Sequence, residues 1–597
     1  MTLGMDRRGQ RMQQQGRAVG TGLKWRSVAL VVVVVVAFMA IHQMFVSRAH
    51  PDALYMDSLR LLFQLDQWQA GHLSTFEFWG GSSHRGFVNQ LFLLANVSLF
   101  DLDVLLANRL TGGVIGLVGA VLGIAWLADV RRQPGPRRPL LEIIVAVMLV
   151  GVCFSWAGYE LMTLDLGLPL WTKNLVFVLF FCGHAHLLSG HSRRPAVWVI
   201  ALALAAPLVV LVFGMGWNYA FVGAVLAVQV FSFLPPWRSE GRWTGILPST
   251  AVLLSMVGYL LSGSVTDAST GQGLNVGADV PVLLLYSLGS SLGYPQAMLM
   301  DRLPLEAVAV LGGLVMLVGM IAAVAWMRRG APGSRLPLLL MLYGVLVAAS
   351  VTLARGAEGP AAVMASRYYM DLVLGLVGVV WFAARELQAA ARPAVAWKVL
   401  VTGLLAGVVT TQALTYALEW RASPYRAAIF EAMNQAVLKS IPDQDAANLL
   451  QSPLDHARLG GEVMRERHLA LYAGQAAAGC STRGIAYEQG WHAQEGAVRW
   501  SSAHATLALP PCACAYYGDL YVPPGQAERT VIIDTGAGVQ PALHVPPGQS
   551  VRARLGNGQA RLEVSPVSVP SVAQPGSADT RELGVLLTGV SVSCEVP

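Results

Sequence analysis

The chain has 597 residues, 54% of them hydrophobic and 13% charged, with a mean hydropathy of +0.52. Soluble domains carry about 25% charged residues, so this composition excludes an ordinary soluble protein and places most of the chain in lipid. The formal net charge is +6. Its basic residues stand in short loops between apolar runs, which reads as membrane topology rather than as a nucleic-acid-binding surface.

Residues 1–26 are polar and basic, with Asp6 the only acid. The run 27–46 is too long for a signal-peptide core and lacks a small-residue cleavage site, so a cytoplasmic tail and an uncleaved spanning helix are expected. A polar loop, 48–104, follows and brings Asp52, Asp57, Arg60, Asp66, His84 and Arg85 next to a membrane. A helix from Asp52 to Ala70 would put Asp57 and Arg60 on one face, beside an apolar stripe of Leu54, Leu61, Leu62 and Leu65. Gly71 ends that helix, and Gly80-Gly81 breaks the chain before a second amphipathic piece, Phe87 to Leu99.

Further spans are predicted at 105–130, 140–157, 171–189, 196–213, 217–234, 244–262, 305–327, 336–354, 369–385 and 397–418, about eleven in all. The basic loops 131–138, 191–194, 238–242, 328–335 and 384–392 alternate with poorly basic ones, which puts them on the side of the N-terminus and the C-terminal region on the other. The apolar stretch 281–293 is short and broken by glycines, and is expected to be re-entrant or surface-lying. No repeat of two similar halves, as in many transporters, is visible.

Two loops on the non-cytoplasmic side carry further polar groups. Glu160 and Asp165 follow the third span, and Lys173 opens the fourth. Between the ninth and tenth spans, Arg355, Glu358, Arg367, Tyr368 and Tyr369 cluster in the stretch 354–371. Arg367 suits two-pronged contact with a phosphate and Tyr368 suits stacking on a sugar or lipid headgroup; the plainer role is an arginine snorkelling beside an aromatic belt. His184, His186 and His191 have no metal-site spacing, because the first two cannot share a helix face.

Residues 420–479 read as a helical connector, and 480–597 as short alternating runs separated by Pro and Gly, the pattern of a β-sandwich or jelly roll. Four of the six cysteines (Cys480, Cys512, Cys514 and Cys594) lie there. In an oxidising compartment they predict at least one disulfide, with three connectivities open.

A charged, aromatic-rich first loop built from two surface helices resembles that of the GT-C glycosyltransferases. The His84-Arg85 dipeptide and the Ser366-Arg367-Tyr368 run are similar to positions in bacterial multi-span proteins of that type, although Gly-Gly-Ser-Ser replaces the polar run before His84. The stretches 490–509 and 578–592 resemble the opening and closing patterns of β-sandwich domains appended to bacterial glycan-processing membrane proteins. The resemblance implies a polytopic helical membrane protein with a periplasmic β-sandwich, in a bacterial inner membrane, using a polyprenyl-phosphate-linked sugar and a glycan or protein acceptor. It implies an acidic catalytic residue soon after the first span, and Asp57 is favoured over Asp52 because Arg60 can orient it. Arg367, Arg355, Arg60, Arg85, His84 and Lys173 become candidates for the leaving phosphate, with Tyr368, Tyr369 and Glu160 for sugar or lipid contact. Trp491, Glu495 and Arg499 become glycan-binding candidates, with core packing the expectation for Trp500. The loop lacks an Asp-Asp or Asp-Glu pair, which speaks against a metal-bound site; no cofactor is assigned, and a divalent metal is left open. Two rivals are a non-catalytic glycan-binding assembly protein and a transporter of lipid-linked glycan, the latter disfavoured because the spans look nearly free of ionisable residues.

Overall fold

Apolar runs become helices because, in lipid, only a helix satisfies every backbone polar group from within one segment. The computed structural model describes residues 25–80, 87–133, 138–190, 192, 194–235, 237–261, 277–293, 304–389, 394–473, 485–495, 498–510, 514–573 and 577–593. In chain order the main helices are α1 (Trp25–Ala49), α2 (Asp57–Gln69), α3 (Thr75–Gly80), α4 (Val88–Phe100), α5 (Val104–Arg132), α6 (Pro139–Cys153), α7 (Gly167–Leu188) and α8 (Pro195–Pro207). They continue as α9 (Asn218–Phe231), α10 (Ile246–Leu261), α11 (Val280–Ser290), α12 (Leu305–Arg328), α13 (Leu336–Arg355), α14 (Tyr369–Ala389), α15 (Val395–Leu438), α16 (Gln444–Leu449) and α17 (Leu454–Glu466).

Among the described residues, seven helices are long and apolar enough to cross a membrane, or eight if the bent pair Pro139–Cys153 and Trp156–Met162 is one span. The chain therefore reads as a membrane protein with fewer such helices than the eleven expected. α9 and α10 have only 14 and 16 residues, and α14 carries Asp371, Arg385 and Glu386. The stretch expected to be re-entrant forms the 11-residue α11, which at about 1.5 Å per residue is too short to span.

Contacts divide the chain into two units. The first comprises 1–51, 74–92 and 105–426, and the second 52–73, 93–104 and 427–597. Of the loop 48–104, residues 48–51 and 74–92 fall in the first unit and 52–73 and 93–104 in the second, with Val104 opening α5.

In the first unit, α13 and α14 pack backbone against backbone where Gly344 meets Gly375. A Cβ on Gly344 would stand 2.4 Å from the Gly375 Cα, so a side chain there would force the helices apart. α15 joins the predicted span 397–418 to the start of the expected helical connector as one helix, continuing through Pro424. Proline has no N–H to give the Trp420 carbonyl, and the Ser423 hydroxyl donates to that oxygen instead, at 2.8 Å.

In the second unit, α2 packs on α17, with Gly460 admitting the Leu59 backbone: a Cβ there would lie 2.7 Å from the Leu59 carbonyl oxygen. The C-terminal strands are β1 (Ala486–Tyr487), β2 (Arg499–Trp500), β3 (His504–Ala508), β4 (Ala515–Tyr521), β5 (Arg529–Asp534), β6 (Leu543–Val545), β7 (Ser550–Gly556), β8 (Gln559–Ser565) and β9 (Leu586–Ser593). They form two antiparallel sheets, ordered β1-β3-β8-β5-β6 and β2-β9-β4-β7. Strict alternation sends Ala560, Leu562 and Val564 of β8 inward and Arg561 and Glu563 outward. One core, including Leu507, Tyr516, Leu520, Ile533 and Leu555, is shared by both sheets. Cys514 is disulfide-bonded; Cys480, Cys512 and Cys594 lie outside the described residues. The first and last strands, β1 and β9, sit in different sheets.

Candidate functional site

Each end of the first unit collects a set of charges. At one end Asp129 on α5 accepts from the Trp381 indole at 2.9 Å, the Ser334 amide at 2.8 Å and Arg385 at 3.3 Å. Arg385 also donates to the Ser334 carbonyl, Arg329 pairs with Glu386, and Arg335 donates to the Trp237 carbonyl. Ser239 in turn bonds the Leu188 carbonyl. Segments at or beside all five basic loops thus meet at one end of the unit.

The other end lies across α14, whose Asp371 and Arg385 are separated by about 21 Å of helix. Here the short helix Trp156–Met162 presents Glu160. It lies close against the start of α7, where a Cβ on Gly167 would sit 1.8 Å from the Leu161 carbonyl oxygen; only glycine allows this approach. The Ser366 hydroxyl donates to Glu160 Oε2 at 3.1 Å, and Arg367 Nη1 stands 3.5 Å from Oε1. The Glu160 side chain is 14% exposed and that of Arg367 43%. Arg367 lies over the Tyr368 ring at 5.9 Å, and Tyr368 meets Trp217 edge-on at 5.9 Å. Arg355 is also half open and pairs with Glu358 at 2.7 Å. Phe45 and Trp420 stack on Trp156, four residues before Glu160, and Tyr416 meets Trp156 edge-on, with Arg48 over Trp420 at 4.5 Å.

Two residues expected at this site are placed elsewhere. Lys173 is fully buried and bonded to Asp371 at 2.6 Å, so it is not available to a phosphate. Tyr369 is enclosed by helices, donates to the Val152 carbonyl at 3.0 Å and accepts from Gln412 at 3.4 Å; its hydroxyl serves packing. Asp371, which also accepts from the Tyr343 hydroxyl, was not anticipated. The signal was present: a lone lysine and a lone aspartate on two apolar helices each require a partner.

The first-loop aspartates separate by exposure within the second unit. Asp66 is buried and paired with Arg467 at 2.5 Å. Asp52 accepts from Asn434 at 2.9 Å. Asp57, the first residue of α2, has a side chain 50% exposed and paired with Arg60 at 3.3 Å, the i, i+3 contact that the spacing predicts. A carboxylate there also gains from the helix dipole. His84 and Arg85 lie outside the described residues.

Among the β-domain candidates, Trp491 packs against the core and its indole donates to the Thr506 carbonyl at 2.9 Å. Glu495 is held by Arg581 at 2.7 Å, and Arg499 lies over Tyr487 at 4.3 Å. Trp500 joins a small buried cluster with Leu583 and Leu586.

Among the described residues, no three His, Cys, Asp or Glu side chains stand close enough together to hold a metal ion. No protein-family model, curated protein or solved structure matches the chain.

Proposed function

We propose that this chain is a GT-C-like membrane glycosyltransferase with an appended β-sandwich, moving a sugar from a polyprenyl-phosphate donor to a glycan, lipid-linked glycan or protein acceptor. The observation that carries the reading is the Glu160–Ser366–Arg367 group: a half-open guanidinium held at the end of a helical membrane unit by a nearly buried carboxylate. A leaving phosphate needs cations around it rather than protonation, and an arginine fork fits it with two bonds. Arg355 is the second cation assigned to the phosphate, and Tyr368 to the sugar or headgroup.

Asp57 is assigned as general base toward the acceptor hydroxyl, being the most open of the three first-loop aspartates. Glu160 is the alternative base, favoured by its direct contact with Arg367. A location in a bacterial inner membrane with the C-terminal domain outside the cytoplasm is supported by the Cys514 disulfide and by the gathering of basic loops at one end.

The test is sugar transfer in a deletion strain complemented with variants at equal protein level. Asp57→Asn removes the proton acceptor and keeps the shape, so transfer should fall by about two to four orders of magnitude. Wild-type transfer by Asp57→Asn together with a dead Glu160→Gln would move the base to Glu160. Full activity in both variants and in the double variant would favour the non-catalytic, glycan-binding reading.

A further inference from the structure

The second unit holds an open cleft of about 630 Å³, within the roughly 300–1,000 Å³ of small-molecule sites. Its floor is the outer face of the four-stranded sheet. The alternation that turns Tyr516 and Leu520 of β4 into the core turns Asp519 out into the cleft, opposite Gly589 of β9. Its wall is α17, with Asp455, Arg458, Glu462 and Arg465 along the lining.

The arrangement of these charges decides what fits. Arg458 is committed to Asp519 and to the Ile441 and Pro442 carbonyls, at 2.9 and 2.8 Å for the latter two. Arg465 donates to the Val592 carbonyl at 2.6 Å and stands 3.6 Å from Glu462. Arg458 is thus spent tying wall to floor, while Arg465 ties α17 to β9 through Nη1 and keeps Nε and Nη2 buried without a hydrogen-bond acceptor among the described residues. Three carboxylates and two arginines line the cleft, with Arg552 beside Asp519, so no net positive charge draws phosphate or nucleotide in. Burial raises the Asp519 carboxyl above its ordinary range while Arg458 and Arg552 pull it back. Asp455 is exposed and makes no hydrogen bond or ion pair among the described residues. Carboxylate acceptors, the Ser440 and Thr588 hydroxyls and the apolar surfaces of Leu454 and Tyr472 alternate around the space. A polyhydroxylated, uncharged ligand with apolar ring faces meets all three kinds of surface.

We propose that this cleft binds a short neutral oligosaccharide. Its role as acceptor or product subsite rests on the glycosyltransferase reading above; the binding itself does not. Purified full-length protein in detergent is applied to an array of neutral and uronic-acid-containing di- to tetrasaccharides, with inorganic pyrophosphate and an unfolded peptide as competitors. Gly589→Trp places a ring in the cleft, where a Cβ has only the Asp519 carboxylate within 4 Å, at 3.8 Å. It should reduce retention of neutral saccharides by at least about tenfold, and Asp455→Ala by about threefold. Asp455→Ala keeps the proposal testable if Gly589→Trp misfolds. No retention of neutral saccharides by the wild type, preference for the acidic ones, competition by the peptide, or unchanged retention in both folded variants overturns the proposal. Saccharide retention that depends on the cleft, in a protein that transfers no sugar in cells, upholds the cleft and removes the enzyme reading.

Discussion

The two ends of the helical unit treat the same ion-pair chemistry in opposite ways. At one end Arg385 and Asp129 are 0% and 3% exposed and tied in by Trp381 and Ser334. At the other, Arg367 and Arg355 keep 43% and 44% of their side chains open while each holds a glutamate. A fully enclosed guanidinium can only brace helices, whereas an open one still has donors to offer. Lys173 and Asp371 lie beneath the open end and are as closed as the far end. Asp371 is only four residues beyond Arg367 in the chain, so the buried pair fixes the start of the helix that carries the exposed cation.

Substitutions should accordingly sort into those that cost stability and those that cost transfer. The largest effect is expected from Lys173→Met, which leaves Asp371 buried without its partner and should destabilise by about 3–5 kcal/mol. Thermal unfolding of the detergent-solubilised protein measures it, and the double variant Lys173→Met with Asp371→Leu should recover more than half of the loss. A single variant as stable as the wild type would mean that water reaches the pair.

Next in size comes Arg367→Lys. A lysine keeps the charge and loses the fork, so transfer should fall by about tenfold or more with stability nearly unchanged. Arg385→Lys is its mirror, losing stability while transfer per folded molecule is kept. A loss of transfer without destabilisation in Arg385→Lys would erase the distinction between the ends.

The smallest effect calibrates how little an open pair contributes. Arg581 holds the Asp579 carboxyl down to about 2 from an ordinary 3.8. A depressed carboxyl stabilises the folded state fully above its ordinary value and loses that contribution as pH falls through about 2. Asp579→Asn should therefore lower the melting temperature slightly near neutral pH and match the wild type at pH 2. A large difference at neutral pH would show that exposed pairs in this protein carry more than screening allows.

Much of this organisation was legible in the sequence because it is periodic. Apolar runs gave helices, alternation gave strands such as β8, and the three-residue spacing of Asp57 and Arg60 gave their contact. The number of crossing helices was not legible, since run length says nothing of where a helix such as α9 stops. The role of Lys173 was missed because its partner Asp371 is 198 residues away. Tyr369 and Tyr368 are neighbours in one short run, and only packing decides which is enclosed.

The assignment of residues 52–73 to the second unit has a consequence for biosynthesis. Asp52 bonds a residue 382 positions later and Asp66 one 401 positions later. At synthesis rates of about 5–20 residues per second, α2 waits roughly 20–80 s for the ribosome to deliver α17. During that interval its apolar stripe has no native cover, and every intervening membrane helix must be inserted before the partner exists. Assembly of the second unit is therefore a late, non-local event, and a fragment that begins after the last membrane helix would be made without one of its own layers.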